Sequence, residues 1–342
     1  MQKKPKIYHL VPSMFRGGVE TAIEKTYRDL NKIFDYRVFY IKSYGEINVN
    51  QKSFLLILFS MIFKKDKSEL ILTSLWWSHP FGYWLSKIGY KWVVFIHSPK
   101  FSSFFDRVIT KFALKNANFL FFDSNSTHKV FNKTIKGKFF FIPFVFEKVS
   151  SKETLNYSTK YDFSWIGRNS KEKRIDLFIN FLNRLERKKS NAKVLVIISG
   201  KKSIFLESYS KKLKNIELDF FYNISYSKVN ELLKQSKINL CFSDYEGFSV
   251  SSFQAINKGN ILGSRKVGEI INYAKEENHV FLKSLSKQHF ETFIDSLIYL
   301  VNNQDVLDEM RLEAHNNLEH MFGNKSYLSS ITKSFKEIFE NQ

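Results

Sequence analysis

Ile238-Asn239-Leu240-Cys241-Phe242 runs into Ser243-Asp244-Tyr245-Glu246-Gly247-Phe248, and that into Ser249-Val250-Ser251-Ser252-Phe253-Gln254-Ala255-Ile256-Asn257-Lys258-Gly259. The first five residues form a short apolar run and read as a buried strand. The last eleven read as an amphipathic helix closed by a glycine. Between them lies an acidic turn. A helix start has unpaired backbone N–H groups and the positive end of the helix dipole, so it suits an anion. A carboxylate one turn earlier can bind hydroxyls. Together they suit a ligand with a pyrophosphate at one end and a polyol at the other.

Outward from this segment, short β-branched or aromatic runs alternate with longer helical ones. In the first half, strands are expected at 6–11, 36–41, 69–74, 91–97, 119–124 and 138–142, with helices near 19–33, 51–65, 79–88, 102–116 and 126–133. A second series follows, with strands at 162–166, 193–199, 216–221, 238–242, 260–263 and 279–281. Its helices fall near 173–188, 203–213, 226–235, 249–258, 267–275, 287–302 and 304–320, and a last helix near 325–340. Repeated βα units imply parallel, doubly wound sheets. The expected division is residues 1–147, a polar linker 148–161, a second domain 162–324, and a terminal helix 325–342. Two Rossmann-like domains facing each other leave a cleft at the carboxyl ends of both sheets, where ligands bind.

Further chemistry-bearing segments sit at expected strand ends. Arg16-Gly17-Gly18-Val19-Glu20 follows the first strand and opens the first helix. Its glycines permit close backbone approach to a ligand. His97-Ser98-Pro99 ends the fourth strand and puts an imidazole at the cleft. Trp165-Ile166-Gly167-Arg168, then Lys171-Glu172-Lys173-Arg174-Ile175-Asp176, offers a guanidinium and an ammonium that can clamp a pyrophosphate. Ser199-Gly200 and Asn223-Ile224 fall at the ends of the next two strands.

In their order and spacing these segments resemble the retaining glycosyltransferases of the GT-B fold, the group 1 or family 4 type, over nearly the whole chain. The resemblance implies a metal-independent hexosyltransferase that moves a sugar from a nucleoside diphosphate, UDP- or GDP-linked, to an acceptor hydroxyl with retention of configuration. It implies that the Gly17-Gly18 loop nears the donor and that His97 lies beside the donor sugar. Arg168 and Lys173 would hold the diphosphate, with the Ser249 and Val250 N–H groups; Glu246 would bind sugar hydroxyls. Ser199, Gly200, Asn223 and Ile224 would meet the base. Three departures stand out: Gln254 replaces the second glutamate, expected at the ribose; Arg174 replaces a glycine; and Pro143-Phe144-Val145 replaces a Pro-Asn-Gly turn. An amide keeps one acceptor and adds a donor, so Gln254 can still meet a ribose.

Composition sets bounds. The chain has 342 residues and a net charge of +20. Residues 1–150 hold 24 Lys and Arg against 10 Asp and Glu. So basic a half suits a polyanionic partner such as anionic lipid or a charged glycolipid. The single cysteine excludes an internal disulfide. The longest apolar run, 54–63, is too short to span a bilayer. A cytoplasmic protein, peripheral at the inner membrane face, is expected. Its acceptor would be a saccharide or lipid-linked saccharide of a bacterial O-antigen, capsule or lipopolysaccharide. No nucleic-acid motif, Asp-x-Asp, nucleotide-binding lysine loop or Gly-x-Gly-x-x-Gly is present, and no cofactor is expected. Two alternatives stay open. One is a nucleotide-sugar epimerase or hydrolase on the same fold; the other is a non-catalytic binder of polyanions or membranes.

Overall fold

The computed structural model describes residues 4–12, 17–41, 54–64, 67–149, 159–188 and 190–340. Arg16 and most of the expected linker, 150–158, lie outside them, as do both ends of the helix expected over 51–65. The chain divides into two compact units, Met1–Phe146 with Lys325–Gln342, and Glu147–Asn324.

The first unit holds β1 (Lys6–Val11), α1 (Gly18–Ile33), β2 (Asp35–Tyr40), α2 (Phe54–Ile62), β3 (Leu70–Ser74), α3 (His79–Lys87), β4 (Lys91–Ile96), α4 (Phe104–Asn116), β5 (Phe119–Phe122), α5 (Asn125–Phe131) and β6 (Lys138–Phe141). Its sheet is parallel, in the order β2-β1-β3-β4-β5-β6. The chain steps one way from β1 to β2 and the other way from β3 onward. Right-handed crossovers therefore put α1 on one face and α2 to α5 on the other. Side-chain alternation follows. Trp92, Val94 and Ile96 of β4 pack with Leu58, Leu85, Leu114 and Phe131 of the α2–α5 layer. Phe95 and Phe121 turn the other way, onto Tyr327 and Phe335 of α13 (Tyr327–Glu340), with ring centroids 6.4 and 5.6 Å apart. Phe34 meets the same Phe335 edge-on at 5.6 Å. The last helix thus belongs to the core of the first unit.

The second unit holds β7 (Tyr161–Arg168), α6 (Ile175–Arg187), β8 (Ala192–Ser199), α7 (Ile204–Ser210), β9 (Ile216–Tyr222), α8 (Tyr226–Leu233), β10 (Ser236–Cys241), α9 (Val250–Asn257), β11 (Ile261–Ser264), α10 (Ile270–Tyr273), β12 (Val280–Phe281), α11 (Lys287–Asn302) and α12 (Gln304–Phe322). The sheet is again parallel, ordered β12-β11-β10-β7-β8-β9. The direction of winding reverses between β7 and β10, so their carboxyl ends form a switch point. Phe163 and Trp165 of β7, Val194 and Val196 of β8, and Ile238 and Leu240 of β10 bury one face under α6 and α11. Helices of the expected series are present; α6 to α10 are shorter at the ends, the one near 267–275 contracting to Ile270–Tyr273, while α11 keeps its expected bounds and α12 runs on to Phe322. Ser103, Ser124, Ser203, Ser225 and Ser286 cap their helices, each side chain accepting a backbone N–H three residues on.

Buried imidazoles are a feature of both cores. His9 in β1 bonds Tyr36 Oη (2.6 Å) and Ser74 Oγ (2.8 Å). His79 Nδ1 lies 3.1 Å from Thr73 Oγ1, which also accepts from Trp92 Nε1 at 2.8 Å. His279 Nδ1 accepts from the Leu262 N–H at 3.0 Å. Burial pushes each of the three down to about 3, so the folded chain keeps them neutral. The unfolded chain protonates them near pH 6.5. With depressed folded values, this stability is present above pH 6.5 and is lost as pH falls toward 3. Between those limits each histidine contributes a slope of about 1.4 kcal/mol per pH unit. Urea unfolding at pH 7.5 and pH 5 is expected to show a lower midpoint at pH 5. His79→Gln is expected to reduce that difference, and an unchanged difference would refute the assignment.

Candidate active site

The switch point of the second unit gathers the loops after β7 and β10. After Arg168 the chain makes a 3-10 turn, Lys171–Lys173, and Arg174 then opens α6. Lys173, expected at a helix start, lies in this turn. Its Nζ stands 2.6 Å from Glu246 Oε1, with the two side chains 17% and 12% exposed. Burial alone would lower the Lys173 pKa; the adjoining Glu246 carboxylate outweighs it, and the net shift is upward. The ammonium is therefore firmly charged. The Asp244 N–H donates to the Glu172 carbonyl (2.9 Å), and Arg174 Nη1 donates to Asp244 Oδ1 (2.9 Å). Arg168 leans on Glu172 at 3.2 Å and stays exposed.

Beside the Lys173–Glu246 pair two residues, neither of them glycine, adopt left-handed backbone. Arg174 has φ +50°, in place of the glycine that the resemblance leads one to expect, and Ser249 has φ +57°. Such a conformation costs of order 1 kcal/mol or more and persists where the surroundings over-determine it. Arg174 is held by Asp176 and Asp244. Ser249 is held by its hydroxyl's bond to Ser252 Oγ (2.9 Å) and by the Tyr273 hydroxyl, which donates to the Phe248 and Ser249 carbonyls (3.2 Å each). Neither side chain caps its helix, and Gly17 does not cap α1. The first-turn N–H groups of α9, beginning at Val250, thus have no side-chain cap.

Gln254, on α9, is buried, and its Nε2 donates to Asn230 Oδ1 at 3.0 Å. Asn230 Nδ2 in turn donates to Glu147 Oε1 (2.6 Å), whose other oxygen accepts from Lys258 (2.9 Å). Gln254 therefore has a fixed protein partner on α8. Its departure from a glutamate has a local reason: the Asn230 oxygen facing it needs a donor. At the far side of the sheet, Asn223 and Gly200 lock the β9 and β8 ends. The Gly200 N–H donates to Asn223 Oδ1 (2.7 Å), and Asn223 Nδ2 donates to the Gly200 carbonyl (3.0 Å). Ser199 closes β8, Ile224 follows Asn223, and both Gly200 and Asn223 have positive φ.

In the first unit, His97 immediately follows β4. Its ring packs on Phe95 (centroids 4.0 Å) and Phe144 (5.4 Å). Part of the residue is exposed, but both ring nitrogens are buried and have no hydrogen-bond partner. Burial, and then the neighbouring His9 and His79, push its pKa well below the usual imidazole value. It is a neutral imidazole. Phe144 also meets the glycine loop: a Cβ at Gly18 would stand 2.9 Å from its ring. The phenylalanine that replaces the expected asparagine thus joins Gly18 to His97.

Sequence reasoning missed several supporting residues. Gly268 has φ +54°, and a Cβ there would stand 2.3 Å from the Glu246 carbonyl oxygen. The next residue, Glu269, donates its N–H to the Gly247 carbonyl at 2.9 Å. Arg265 donates to the Ser243 carbonyl (3.1 Å) and to Asp244 (2.5 Å). The signal was the glycine of Val267-Gly268-Glu269; nothing marked Arg265 or Asn230. Among the described residues no group of three or more His, Cys, Asp or Glu could hold a metal ion.

Known proteins resemble the chain in sequence pattern and in fold. The family model described as glycosyl transferases group 1 matches residues 146–317, half the chain. No curated protein matches the sequence. Sucrose-phosphate synthase of Thermosynechococcus elongatus is 12% identical, covering 99% of this chain and 100% of its own, with a TM-score of 0.74. HepE of Anabaena, in complex with UDP-glucose, is 16% identical over 98% of this chain and 100% of its own, TM-score 0.70. A glycosyltransferase of Rickettsia africae is 16% identical over 99% and 98%, TM-score 0.69. With twin parallel six-stranded sheets of the GT-B type and this match, the chain belongs to the group 1 glycosyl transferases.

Proposed function

We propose that this protein transfers a hexosyl group from a UDP- or GDP-linked sugar to a hydroxyl of a saccharide or lipid-linked saccharide acceptor. The proposed reaction retains the anomeric configuration and uses no metal. Its setting is the assembly of a bacterial surface polysaccharide at the inner face of the cell membrane. The observation that carries this reading is the second unit's switch point, where Lys173, Glu246 and the uncapped start of α9 stand together. The UDP-glucose held by HepE supports a UDP-linked donor.

In this reading Arg168, Lys173 and the Ser249 and Val250 N–H groups hold the diphosphate. Glu246 accepts from sugar hydroxyls. Gln254 offers Oε1 to the ribose, and Ser199, Gly200, Asn223 and Ile224 border the base. Lys173 exchanges part of its contact with Glu246 for a phosphate oxygen as the donor arrives. The Gly17-Gly18 loop lies against the donor, and the unpartnered ring of His97 hydrogen-bonds the sugar. The sugar C1–oxygen bond to the diphosphate breaks as the acceptor oxygen bonds C1 on the same face. The acceptor proton passes to the departing phosphate oxygen. Charge on that leaving group is met by Arg168, Lys173 and the helix start.

Three outcomes test the reading. First, one class of nucleotide sugar is expected to raise the thermal midpoint, by about 2.7 kcal/mol of stabilisation at a hundredfold excess over Kd. Glu246→Ala and Arg168→Ala each reduce the shift, and His97→Asn lowers kcat by about 10²-fold. A wild-type shift untouched by both substitutions removes the site assignment, and an inverted product anomer by NMR removes retention. Second, Gln254→Glu is expected to destabilise by about 1–3 kcal/mol in urea, because a carboxylate leaves the Asn230 oxygen without a donor. An unchanged midpoint refutes that account of Gln254. Third, Arg174→Ala and Arg174→Gly lose the same ion pairs, but only glycine relaxes the left-handed backbone. Glycine is therefore expected to be the more stable variant by about 1 kcal/mol in urea; equal midpoints would show that the backbone there is unstrained.

A further inference from the structure

We propose that the outward face of the α3–α4 layer in the first unit docks on an anionic bilayer. A helix covering a sheet normally turns its polar side to solvent. α4 also turns an apolar stripe outward. Asp106, Thr110, Ala113 and Leu114 face inward, while Phe104, Phe105, Val108 and Phe112 are 73%, 67%, 51% and 44% exposed. Arg107, Lys111 and Lys115 follow at four-residue spacing along the flank of that apolar stripe. The pattern continues onto α3. Phe112 meets the Tyr83 ring edge-on at 4.6 Å, the Lys87 ammonium sits 5.1 Å over Tyr83, and the neighbouring Trp84 is 43% exposed.

Charge selects the occupant. Residues 67–138 contain eleven Lys and Arg and three carboxylates, Glu69, Asp106 and Asp123. The three carboxylates are only 4%, 9% and 2% exposed. Glu69 pairs with Lys64, Asp106 accepts from Ser102 and Thr110, and Asp123 accepts from Ser124. This stretch therefore presents cations and aromatic rings to solvent, with no exposed carboxylate among them. Exposed aromatic rings beside a row of cations match an interface of acyl chains and anionic headgroups. A second copy of this face would repel it. No described helix is long and apolar enough to cross a membrane, so the contact is peripheral.

This inference gives a surface to the membrane-borne acceptor of the proposed function. It rests on that reading for its purpose only, since lipid binding needs neither donor nor acceptor. The test is co-sedimentation of the full chain with phosphatidylcholine vesicles, with and without phosphatidylglycerol. Binding is expected to the anionic vesicles alone and to weaken with salt. The triple variant Arg107→Gln/Lys111→Gln/Lys115→Gln is expected to lower partitioning roughly a hundredfold, at about fivefold per charge. Phe104→Ser/Phe105→Ser is expected to lower it at least about tenfold. Both variants should keep the wild-type urea midpoint. No binding by the wild-type chain, or equal binding by folded variants, overturns the proposal. A concentration-dependent dimer abolished by the Phe variant, without vesicle binding, also overturns it and makes a second copy the occupant. Vesicle binding with no donor shift would sink the donor assignment and leave the docking surface standing.

Discussion

The second unit's site depends on one contact, the Lys173–Glu246 ion pair at the point where its sheet reverses winding. Opposite charges so nearly enclosed attract strongly, but each has lost most of its hydration. Removing either one would leave the other stranded, at a cost of about 3–5 kcal/mol in a fully buried setting. The pair therefore does more than join two loops. It presents a protonated ammonium and a carboxylate side by side at the start of α9. Left-handed backbone at Arg174 and Ser249 flanks it. That strain is sustained by the Asp176–Arg174–Asp244–Arg265 chain of ion pairs and by Tyr273. Removing one link should loosen the turn as a whole, because the same atoms fix both the charges and the backbone.

The parallel βα frame was legible because buried parallel strands are continuous apolar runs and their covering helices have another period. Phe163 to Trp165 and Val194 to Ile198 read as strands for that reason. The site's outline was legible where a residue type carries its own chemistry: a glycine pair, an acid, a cation at a strand end. What could not be read was partnership. Arg174 stands out in the sequence only as a replaced glycine; the fold shows that it keeps the left-handed conformation while binding Asp176 and Asp244. Gln254 read as an amide that can still meet a ribose. Its amide also fits an asparagine 24 residues away on α8, a contact no local pattern encodes. Gly268 is required by a carbonyl from another loop, at Glu246.

The basic bias of the first half was visible as composition, but composition cannot say which charges face water. A lysine-rich segment with interspersed surface acids would be a solvated face and little more. Here the acids of residues 67–138 are turned inward and bound by hydroxyls and a lysine, so none of them stands at the surface beside the cations of α4. The sheet's topology then sorts the two faces. α13 closes the side that carries α1, burying Phe34, Phe121 and Phe335 against one another. The other face is closed by α2 to α5, whose inward residues complete the core while α4 keeps a second apolar stripe facing out. A core needs one apolar stripe per helix, so folding accounts for the inner stripe alone. The outer one adds no core stability and invites association. Its position beside Arg107, Lys111 and Lys115 makes that association one with negative charge, and this ties the uneven charge of the chain to a particular helix.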